Sequence, residues 1–536
     1  MSTIAATASW AGHEHYVHRV LWRLARTPSR AVLGPGDGDL DGPAVVDAVL
    51  ATAGGLRRAG TGPGATVAVL TGPNHPAMLV VRYAAHLLGA AVVQIRSANP
   101  RSDADQLPAA TQARLLRECG ATVLVTDEDH AARAADLRDR ADGALRTAGY
   151  GFTAPDVMDL LGEDPVRAEE LPEYAPERRA VVAFTSGSTA EPRGIDQSFA
   201  VWNHLVASFP GTTDPAAPAV MLAVTPLSHT IGPMADAVLA EGGRVLLHAG
   251  FDTAAVLRAV ADHRVTDVYL AVPHLYALVE DPATARADLS PLRRVIYSGT
   301  PAAPHRIAAA HALLGPALIQ LYGTTEAGGI SNLTPEDHRE PELLPTVGRP
   351  FPWVEVLIRE PGSDTEVPRG EEGEVWVRSR TVMDGYSADP AHTARTLRDG
   401  WLCTGDLGHW DRYGYLRLAG RSGQVVKSGG LKIHPVAVES ALLSHPGVAR
   451  AAVYGVRDAD HREHVHAAVV PRPGATCSAE ELRAHVGAAL SPLHAPVAFA
   501  FRESLPLTER GKPDTALLRS VPHGDARVGA PSKGTP

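Results

Sequence analysis

In the first part of the chain, apolar runs that fit buried β-strands alternate with segments of helical periodicity. Residues 44–60, 74–89 and 112–119 have helical spacing, whereas residues 65–70, 90–95 and 121–126 fit strands. Because the strands alternate with helices, consecutive strands should run parallel, with the helices packed on the faces of the sheet. Further strands are predicted at residues 181–184, 219–224, 243–247, 265–270, 292–298 and 317–321.

The pattern changes twice towards the C-terminus. Residues 346–418 contain short alternating runs that predict a small antiparallel β-subdomain. After a glycine-rich stretch, helices at residues 436–443 and 479–490 and strands at residues 448–456 and 463–470 predict a separate α+β domain. We therefore predict an α/β fold with a large N-terminal domain of helix-covered mixed sheets (residues 1–421), a small α+β C-terminal domain (residues 422–521) and a disordered tail (residues 522–536).

One stretch, VVAFTSGSTAEPRGI at residues 181–195, has the character of a phosphate-binding loop. A β-branched apolar run leads into Gly187, which lets backbone N–H groups approach an anion closely. Hydroxyl donors surround this glycine: Thr185, Ser186, Ser188 and Thr189. Neither GxxxxGK[ST] nor GxGxxG can be read through the stretch. Without further context, a polar surface loop remains the alternative interpretation.

Several predicted strands end in small, hydroxyl-bearing or aromatic residues, in TPLSHTIGP, SGTPAAP and YGTTEAGG. Ligands of open α/β sheets bind at the carboxyl ends of the strands, so these segments should meet at one crevice. Each segment alone could be an ordinary turn.

Composition excludes some functions and points to others. A formal net charge of -10 and the lack of basic runs argue against a nucleic-acid surface. The sequence shows neither a secretory signal nor a membrane span, and Cys119, Cys403 and Cys477 have no metal-binding spacing, so a reduced cytoplasmic location is expected. Because arginine is used almost everywhere, the lysines become candidates for function: Lys427, Lys432, Lys512 and Lys533.

The ordered set of motifs resembles the adenylate-forming superfamily, which includes acyl-CoA and aryl-CoA synthetases. The resemblance covers the chain to about residue 519 and rests on FTSGSTAEPRGI, TPLSHTIGP, SGTPAAP, YGTTEAGGI, VGRPFP, GEVWVR, WLCTGDLGHWDRYGYLRLAGR, VVKSGGLKIHPVAVES and LPLTERGKPD. It implies a two-step reaction in which a carboxylate attacks the α-phosphate of ATP to give an acyl-AMP and pyrophosphate, and a thiol then takes the acyl group. The implied cofactors are ATP, Mg²⁺ and coenzyme A.

The resemblance also assigns residues to the nucleotide. The glycine-rich loop and Arg193, which replaces the usual lysine, hold the β- and γ-phosphates. Tyr322 stacks on adenine, with Gly299, Thr300 and Pro301 on its other side and Gly323 and Thr324 next in the loop. Asp406 accepts both ribose hydroxyls, and Arg421 lies near the ribose and phosphates.

The implied catalytic residues are Lys512, Glu326, Thr325 and His229. Lys512 reaches the α-phosphate and the attacking carboxylate as negative charge builds up between them. Glu326 is the Mg²⁺ ligand, because a hard cation that bridges phosphates needs a carboxylate. His229 gates the passage between acid and thiol, although a packing role is an equally good interpretation of a histidine here.

In the superfamily the small domain rotates between the two half-reactions. The resemblance places Lys512 inward for the first and the thiol-side loop, Lys427, Ser428, Gly429 and Gly430, inward for the second. Gly423 stands at the hinge where the superfamily has aspartate or lysine, and Ala190 replaces a glycine of the phosphate loop. Lys427 and Lys432 either contact CoA or face solvent.

The acid pocket is expected around Trp202, His229, Gly232, Gly328 and Gly329, where small residues leave room for a bulky or aromatic acyl group. Members that select α-amino acids carry an aspartate near Thr230 for the amino group. A buried ammonium without that partner would be costly, so an acid lacking an α-amino group is favoured.

Three functions remain open on the sequence. The first is an acid:CoA ligase, for which the small carboxylic acid and CoA are the partners. The second is a free-standing enzyme that loads an acid onto the pantetheine of a carrier protein. The third is a nucleotide-binding homologue without catalysis, which the presence of Asp406, Glu326 and Lys512 disfavours.

Overall fold

A computed structural model describes residues 7–27, 30–33, 39–95, 107–141, 145–162, 164–185, 192–209, 217–428, 431–458, 462–507 and 513–520. The strands are β1 (Arg30–Leu33), β2 (Leu40–Asp41), β3 (Thr66–Leu70), β4 (Ala91–Gln94), β5 (Ala121–Thr126), β6 (Arg146–Gly149), β7 (Met158–Asp159), β8 (Arg179–Thr185), β9 (Arg193–Ser198), β10 (Val220–Ala223), β11 (Arg244–Leu247), β12 (Asp267–Ala271), β13 (Arg294–Ser298), β14 (Leu318–Thr324), β15 (Gly328–Leu333), β16 (Arg349–Pro350), β17 (Glu355–Arg359), β18 (Gly373–Arg378), β19 (Gly385–Tyr386), β20 (Leu397–Arg398), β21 (Trp401–Trp410), β22 (Leu416–Arg421), β23 (Val426–Ser428), β24 (Leu431–Ile433), β25 (Val448–Arg457), β26 (Glu463–Pro471) and β27 (Ala498–Phe501).

The helices begin at the polar caps that the sequence offers. Asp41, Ser198, Asp252 and Ser478 each accept a hydrogen bond from a backbone N–H of the first turn that would otherwise have no partner. The helices are α1 (Tyr16–Leu24), α2 (Gly42–Arg58), α3 (Ala77–Leu87), α4 (Ala109–Glu118), α5 (Ala131–Asp139), α6 (Phe199–Ala207), α7 (Ile231–Ala240), α8 (Thr253–His263), α9 (Val272–Glu280), α10 (Pro304–Leu314), α11 (Pro390–Thr396), α12 (Pro435–Ser444), α13 (Ala479–Ala489) and α14 (Thr515–Ser520).

Two large mixed sheets form the body of the structure. One has the order β16-β15-β14-β13-β12-β10-β11-β1-β2, and the other β19-β9-β8-β4-β3-β5-β6-β7. The central strands of both are parallel, and antiparallel strands lie towards the edges. Helices α1, α2, α3, α6 and α7 share one apolar core with these sheets. The predicted α/β fold with helix-covered mixed sheets is confirmed.

Helix α3 shows how far this burial goes. The whole helix is buried, including Arg82 and His86. Two polar side chains inside such a core need partners, because an unsatisfied polar group in an apolar environment costs free energy. Asp236 pairs with Arg82, and Tyr16 and the carbonyl of Ala180 hydrogen-bond to His86.

Strand β14 is longer than the sequence predicted. The apolar run ends at Leu321, but the strand continues to Thr324 because residues 320–324 pair with β15 in an antiparallel hairpin. The YGTTEAGG segment is therefore mostly paired strand around a short connection. Periodicity missed the extension because pairing, not apolarity, holds it in place.

The β-subdomain and the C-terminal sheet lie where the pattern changes. Strands β17, β18, β20, β21 and β22 form an antiparallel sheet, as predicted. Beyond it, β25, β26 and β27 pack with α12 and α13 around a separate apolar core. The boundary between residues 421 and 422 stays a prediction, and the predicted tail at residues 522–536 lies outside the described residues. Within the described ranges, no helix combines the length and apolarity needed to cross a bilayer.

Candidate active site

A cavity of about 450 Å³ opens at the carboxyl ends of the central strands. Strands β10, β12, β13 and β14 are parallel neighbours, so their ends meet at one edge of the sheet. Val224, Ala271, Ser298 and Gly323 line the cavity from these four ends. The predicted crevice is thus present, and the motifs TPLSHTIGP, SGTPAAP and YGTTEAGG all contribute to it.

A buried carboxylate is held between two candidate nucleotide residues. The hydroxyl of Tyr322 donates to Oδ2 of Asp406 at 2.7 Å, and Nε of Arg421 donates to Oδ1 at 2.9 Å. The pairing of β21 with β22 places Asp406 directly opposite Arg421. The charge of Asp406 raises the pKa of Arg421, and burial together with Asp406 raises that of Tyr322. Both donors therefore keep their protons and fix the carboxylate.

Tyr322 has a less open position than adenine stacking suggested. Its side chain is buried in the apolar cluster of Ile330 and Val375, and its hydroxyl is engaged by Asp406. Arg421 and its neighbour Ser422 line the cavity, as do Leu321 and Gly323, whereas Tyr322 itself is not among the described lining residues. The sequence assigned these residues separately and gave no sign that they form one hydrogen-bonded unit.

Glu326 lines the cavity and is positioned by a residue that sequence reasoning missed. The hydroxyl of Tyr386 donates to its Oε1 at 3.3 Å, and the N–H of Met383 donates to its backbone carbonyl at 2.7 Å. Burial and the nearby Glu326 charge raise the pKa of Tyr386, which therefore stays a donor. The carbonyl of Thr325 accepts a hydrogen bond from Gln197. The carboxylate of Glu326 thus faces the cavity from a fixed backbone.

Positive charge collects near Arg193, at the start of β9. Its Nη1 lies 3.5 Å from Nε2 of His392, and both side chains line the cavity together with Arg395. Burial first, and then the charge of Arg193, lower the pKa of His392, so that this ring is neutral at pH 7 and can accept from the guanidinium. His392 and Arg395 lie on α11, and His392 is 199 positions from Arg193 along the chain. No sequence motif pointed to either residue.

The other side of the cavity is uncharged apart from histidine. Among the described lining residues between positions 198 and 299, none is Asp, Glu, Lys or Arg. Trp202, Leu205, Phe209 and Tyr269 are large apolar or aromatic residues in this part of the lining, and His229 also lines the cavity. The ring N–H of Trp202 is turned away from the cavity towards Oδ2 of Asp236, at 3.1 Å.

The three predicted glycines of the acid pocket differ in what a side chain would meet there. A Cβ at Gly328 would lie 2.8 Å from Leu205, and one at Gly329 would lie 3.2 Å from Phe351. Both glycines do line the cavity. A Cβ at Gly232 would lie 2.5 Å from the carbonyl of Leu227, and Gly232 is not among the described lining residues. Gly232 therefore permits a close approach of backbone, whereas Gly328 is favoured by its φ of +72° and Gly329 faces the side chain of Phe351.

The remaining predicted residues have mixed outcomes. Gly299, with a φ of +102°, lines the cavity, whereas Thr300 and Pro301 are not among its described lining residues. Lys427 and Ser428 lie on β23, away from the cavity, and the N–H of Lys427 donates to Glu463 at 2.8 Å. Several predictions lie outside the described residues: Ser186, Gly187, Ser188, Thr189, Ala190, Gly429, Gly430, Lys512 and the side chain of Thr185.

The hinge candidate Gly423 lies in a short 3-10 turn at Ser422–Gln424. It is not among the described glycines with a positive φ, and a Cβ added to it would meet nothing within 4 Å. The observed conformation therefore does not require a glycine here. Whether Gly423 serves rotation is a question about a second conformation, and the hinge stays a prediction.

Comparisons with known proteins show which family the chain matches. The family described as "AMP-binding enzyme" matches residues 21–387, and "AMP-binding enzyme C-terminal domain" matches residues 437–512. A feruloyl-CoA synthase from Amycolatopsis is 35% identical over 86% of this chain and 89% of its own.

Two solved structures extend the likeness to the fold. An amide bond synthetase from Marinactinospora thermotolerans has a TM-score of 0.83 and 39% identity, over 95% of this chain and 99% of its own. An o-succinylbenzoate CoA synthetase from Bacillus subtilis, solved with ATP and magnesium, has a TM-score of 0.76 and 27% identity, over 92% of this chain and 97% of its own.

Proposed function

The chain belongs to the family of AMP-binding enzymes, and from that premise we propose how its cavity activates a carboxylic acid. The protein is an AMP-forming acid–thiol ligase, as the sequence predicted and as its curated relatives confirm. In the first step the carboxylate of the acid attacks the α-phosphorus of ATP, and pyrophosphate leaves. In the second step the CoA thiol attacks the acyl carbonyl, and AMP leaves.

The single observation that carries this proposal is the Tyr322–Asp406–Arg421 unit. Arg421 lines the cavity, as does Gly405 next to Asp406, although Tyr322 and Asp406 themselves are not among its described lining residues. A carboxylate buried at the edge of a cavity is costly unless donors compensate it. Here two donors leave lone pairs of both carboxylate oxygens for further hydrogen bonds, and the two hydroxyls of a ribose match that need. We assign the ribose of ATP to Asp406 and its phosphates to the side of Arg193 and Arg395.

The cavity suits a tightly bound polyanion on this side. Arg193, Arg395 and Arg421 all line it, and guanidinium groups bind phosphate oxygens in pairs of parallel hydrogen bonds. A neutral His392 orients Arg193 without adding charge. The glycine-rich loop and Lys512 complete the phosphate contacts in this proposal, with Lys512 stabilising the charge that develops at the α-phosphate.

Magnesium fits the site through Glu326. Mg²⁺ in phosphoryl sites is held by one or two carboxylates plus substrate phosphates, and Glu326 is one carboxylate facing the cavity. Among the described residues, no group of three His, Cys, Asp or Glu side chains could hold a metal without such phosphates. When bound, the ion would neutralise phosphate charge as pyrophosphate leaves. Tyr386 keeps Glu326 in place for that contact.

We propose an aromatic or otherwise apolar acid as the substrate. The side of the cavity lined by Trp202, Leu205 and Phe209 offers flat apolar surfaces and no full charge among its described residues. The similar feruloyl-CoA synthase is named for an aromatic acid. A charged group at the far end of the substrate would lack a counter-ion there, so such acids should be rejected.

The test is a panel of carboxylic acids assayed by pyrophosphate release with ATP and magnesium. Aromatic and apolar acids should support release, whereas α-amino acids and dicarboxylates should not. Absence of release with every acid would contradict the proposed activation and favour the alternative without catalysis. A preference for α-amino acids would contradict the proposed pocket.

An amine is a second candidate for the acyl acceptor. The observation that favours it is the amide bond synthetase, which shares 39% identity and 99% of its length with this chain. An amine would attack the acyl carbonyl and release AMP, as the thiol does. The test is to form the acyl-AMP on the protein and then add CoA, a holo carrier protein or a panel of amines. Only the true acceptor should increase AMP release and yield a new acyl product.

We further propose a cytoplasmic location. The three cysteines Cys119, Cys403 and Cys477 are free thiols in the structure, which supports a reducing compartment. Fractionation of producing cells, with the protein followed by antibody, tests this assignment.

A further inference from the structure

A second, much smaller cavity of about 20 Å³ lies behind Trp202. It shares Ala183, Trp202, Ser228 and His229 with the large cavity, which places the two side by side. Its volume suits one atom of the size of a water oxygen, and little more. The small cavity therefore adjoins the acid pocket and has room for a single substituent.

The small cavity is lined by apolar residues and by the polar side chains of Arg82, Gln94, Ser228 and His229. The amide nitrogen of Gln94 donates to the carbonyl of Met78 at 3.4 Å. Arg82 lines it, with a side chain that is only 3% exposed. The guanidinium is held by Asp236, which also accepts hydrogen bonds from Tyr83 and Trp202. Although burial opposes the charged form, Asp236 raises the pKa of Arg82, so the guanidinium stays charged. The pair is neutral overall, and its donors point in defined directions.

Two polar atoms of this lining have no hydrogen-bond partner among the described residues. They are Nε of Arg82 and Oγ of Ser228, both buried. Native proteins rarely leave such atoms unsatisfied, because each costs about 1–3 kcal/mol. The N–H can only donate, whereas the hydroxyl can donate and accept. An oxygen that accepts from Arg82 and exchanges a hydrogen bond with Ser228 would satisfy both.

We propose that this small cavity is a polar subsite of the acid pocket, which binds an uncharged oxygen substituent, above all a hydroxyl, on the body of the acid. The inference rests on the proposed function, because it needs an acid in the large cavity. A carboxylate would be too large for the subsite and would bring a second anion next to Asp236. The substrate class is then an acid that carries a hydroxyl on an apolar or aromatic body.

The test compares matched acids. Each parent acid that supports pyrophosphate release, for example benzoate, cinnamate or phenylacetate, is assayed beside its monohydroxylated derivatives, and kcat/KM is measured for both. In the native protein at least one hydroxylated acid should exceed its parent by about tenfold or more, because a site built to bond a hydroxyl discriminates against its absence. In Ser228→Ala this ratio should fall close to one.

A matched control is available in Thr225. Its Oγ1 is also buried without a partner among the described residues, but it lines only the large cavity. Thr225→Val should keep the preference for the hydroxylated acid, whatever it does to the absolute rates.

Each other outcome has a definite meaning. No preference for any hydroxylated acid, or a preference that survives Ser228→Ala, would overturn the subsite, since an ordered water would then be its only occupant. A preference lost in Thr225→Val and kept in Ser228→Ala would place the contact in the large cavity and overturn it as well. Release with none of the parent or hydroxylated acids would overturn the proposed function itself, which distinguishes the two failures.

Discussion

Replacing Asp406 by asparagine tests the nucleotide assignment most sharply, because it removes one charge while keeping the shape. Asp406 is nearly buried, with a side chain 9% exposed, so solvent does not screen its contacts. A hydrogen bond to a charged acceptor contributes about 1.5–3 kcal/mol and one to a neutral acceptor about 0.5–1.5 kcal/mol, a difference of about 1–1.5 kcal/mol per bond. Two ribose hydroxyls therefore lose about 2–3 kcal/mol, or about 30- to 150-fold in affinity.

The assay is pyrophosphate release as a function of ATP concentration at saturating acid. We expect the KM for ATP to rise by about 30- to 150-fold in Asp406→Asn, with a smaller change in the KM for the acid. An ATP dependence like that of the native protein, in a folded variant, would refute the assignment of the ribose to Asp406.

A control variant separates binding from folding. Asp337 accepts a hydrogen bond from the hydroxyl of Tyr415 at 2.6 Å, and neither Asp337 nor its chain neighbours Glu336 and His338 are among the described lining residues of the cavity, whereas Gly405 beside Asp406 is. Asp337 therefore reproduces the Tyr–Asp pair without a neighbour that lines the cavity. Asp337→Asn should lower the free energy of unfolding by about 1 kcal/mol and leave the KM for ATP unchanged. Equal increases in KM in both variants would point to a general loss of structure.

The other predictions concern catalysis and stability. Lys512→Ala should abolish acyl-AMP formation but spare thioester formation from supplied acyl-AMP, and equal loss of both half-reactions would argue against two conformations with separate roles. Burial lowers the pKa of His18 and His86 to about 3, so below pH 6.5 the unfolded chain binds more protons than the folded chain. The free energy of unfolding should therefore fall by about 2 kcal/mol per ring between pH 7 and pH 5. Urea denaturation at both pH values measures this change. Asp236→Ala should lower the free energy of unfolding by about 3–5 kcal/mol, because it leaves the Arg82 guanidinium buried without its partner. The double variant Arg82→Met with Asp236→Leu should recover most of this loss. Urea denaturation compares the two variants, and equal losses would refute the ion-pair argument.

The sequence predicted the fold well because its signals are local. Strand β5 has the predicted bounds, residues 121–126, since an apolar run between turn residues leaves little choice. The extension of β14 to Thr324 escaped prediction because it depends on pairing with β15. Motif order found Glu326, Asp406, Arg421 and the strand ends of the cavity, but not the contacts between them.

The missed residues share one property, which is distance along the chain from the residues that they serve. Tyr386 holds Glu326 from 60 positions away, and His392 contacts Arg193 across 199 positions. Neither lies in a motif that suggested its role. The pairing of β19 with β9 and the hydrogen bond from the N–H of Met383 to the carbonyl of Glu326 hold that segment next to the cavity. Gly328 and Gly329 line the cavity, and their role in the acid pocket stays a prediction; periodicity and composition could not show that Leu205 and Phe351 lie beside them.

The central claim is that this cavity makes an acyl adenylate. The most direct measurement is to incubate the protein with ATP, magnesium and an accepted acid, without CoA or any amine, and to analyse the products by mass spectrometry. We expect one acyl-AMP and one pyrophosphate per active site before any acceptor is added. Once an acceptor is added, the acyl-AMP should be converted to product with release of AMP. Formation of ADP and phosphate, or of no acyl-AMP while the complete mixture still yields product, would contradict the central claim.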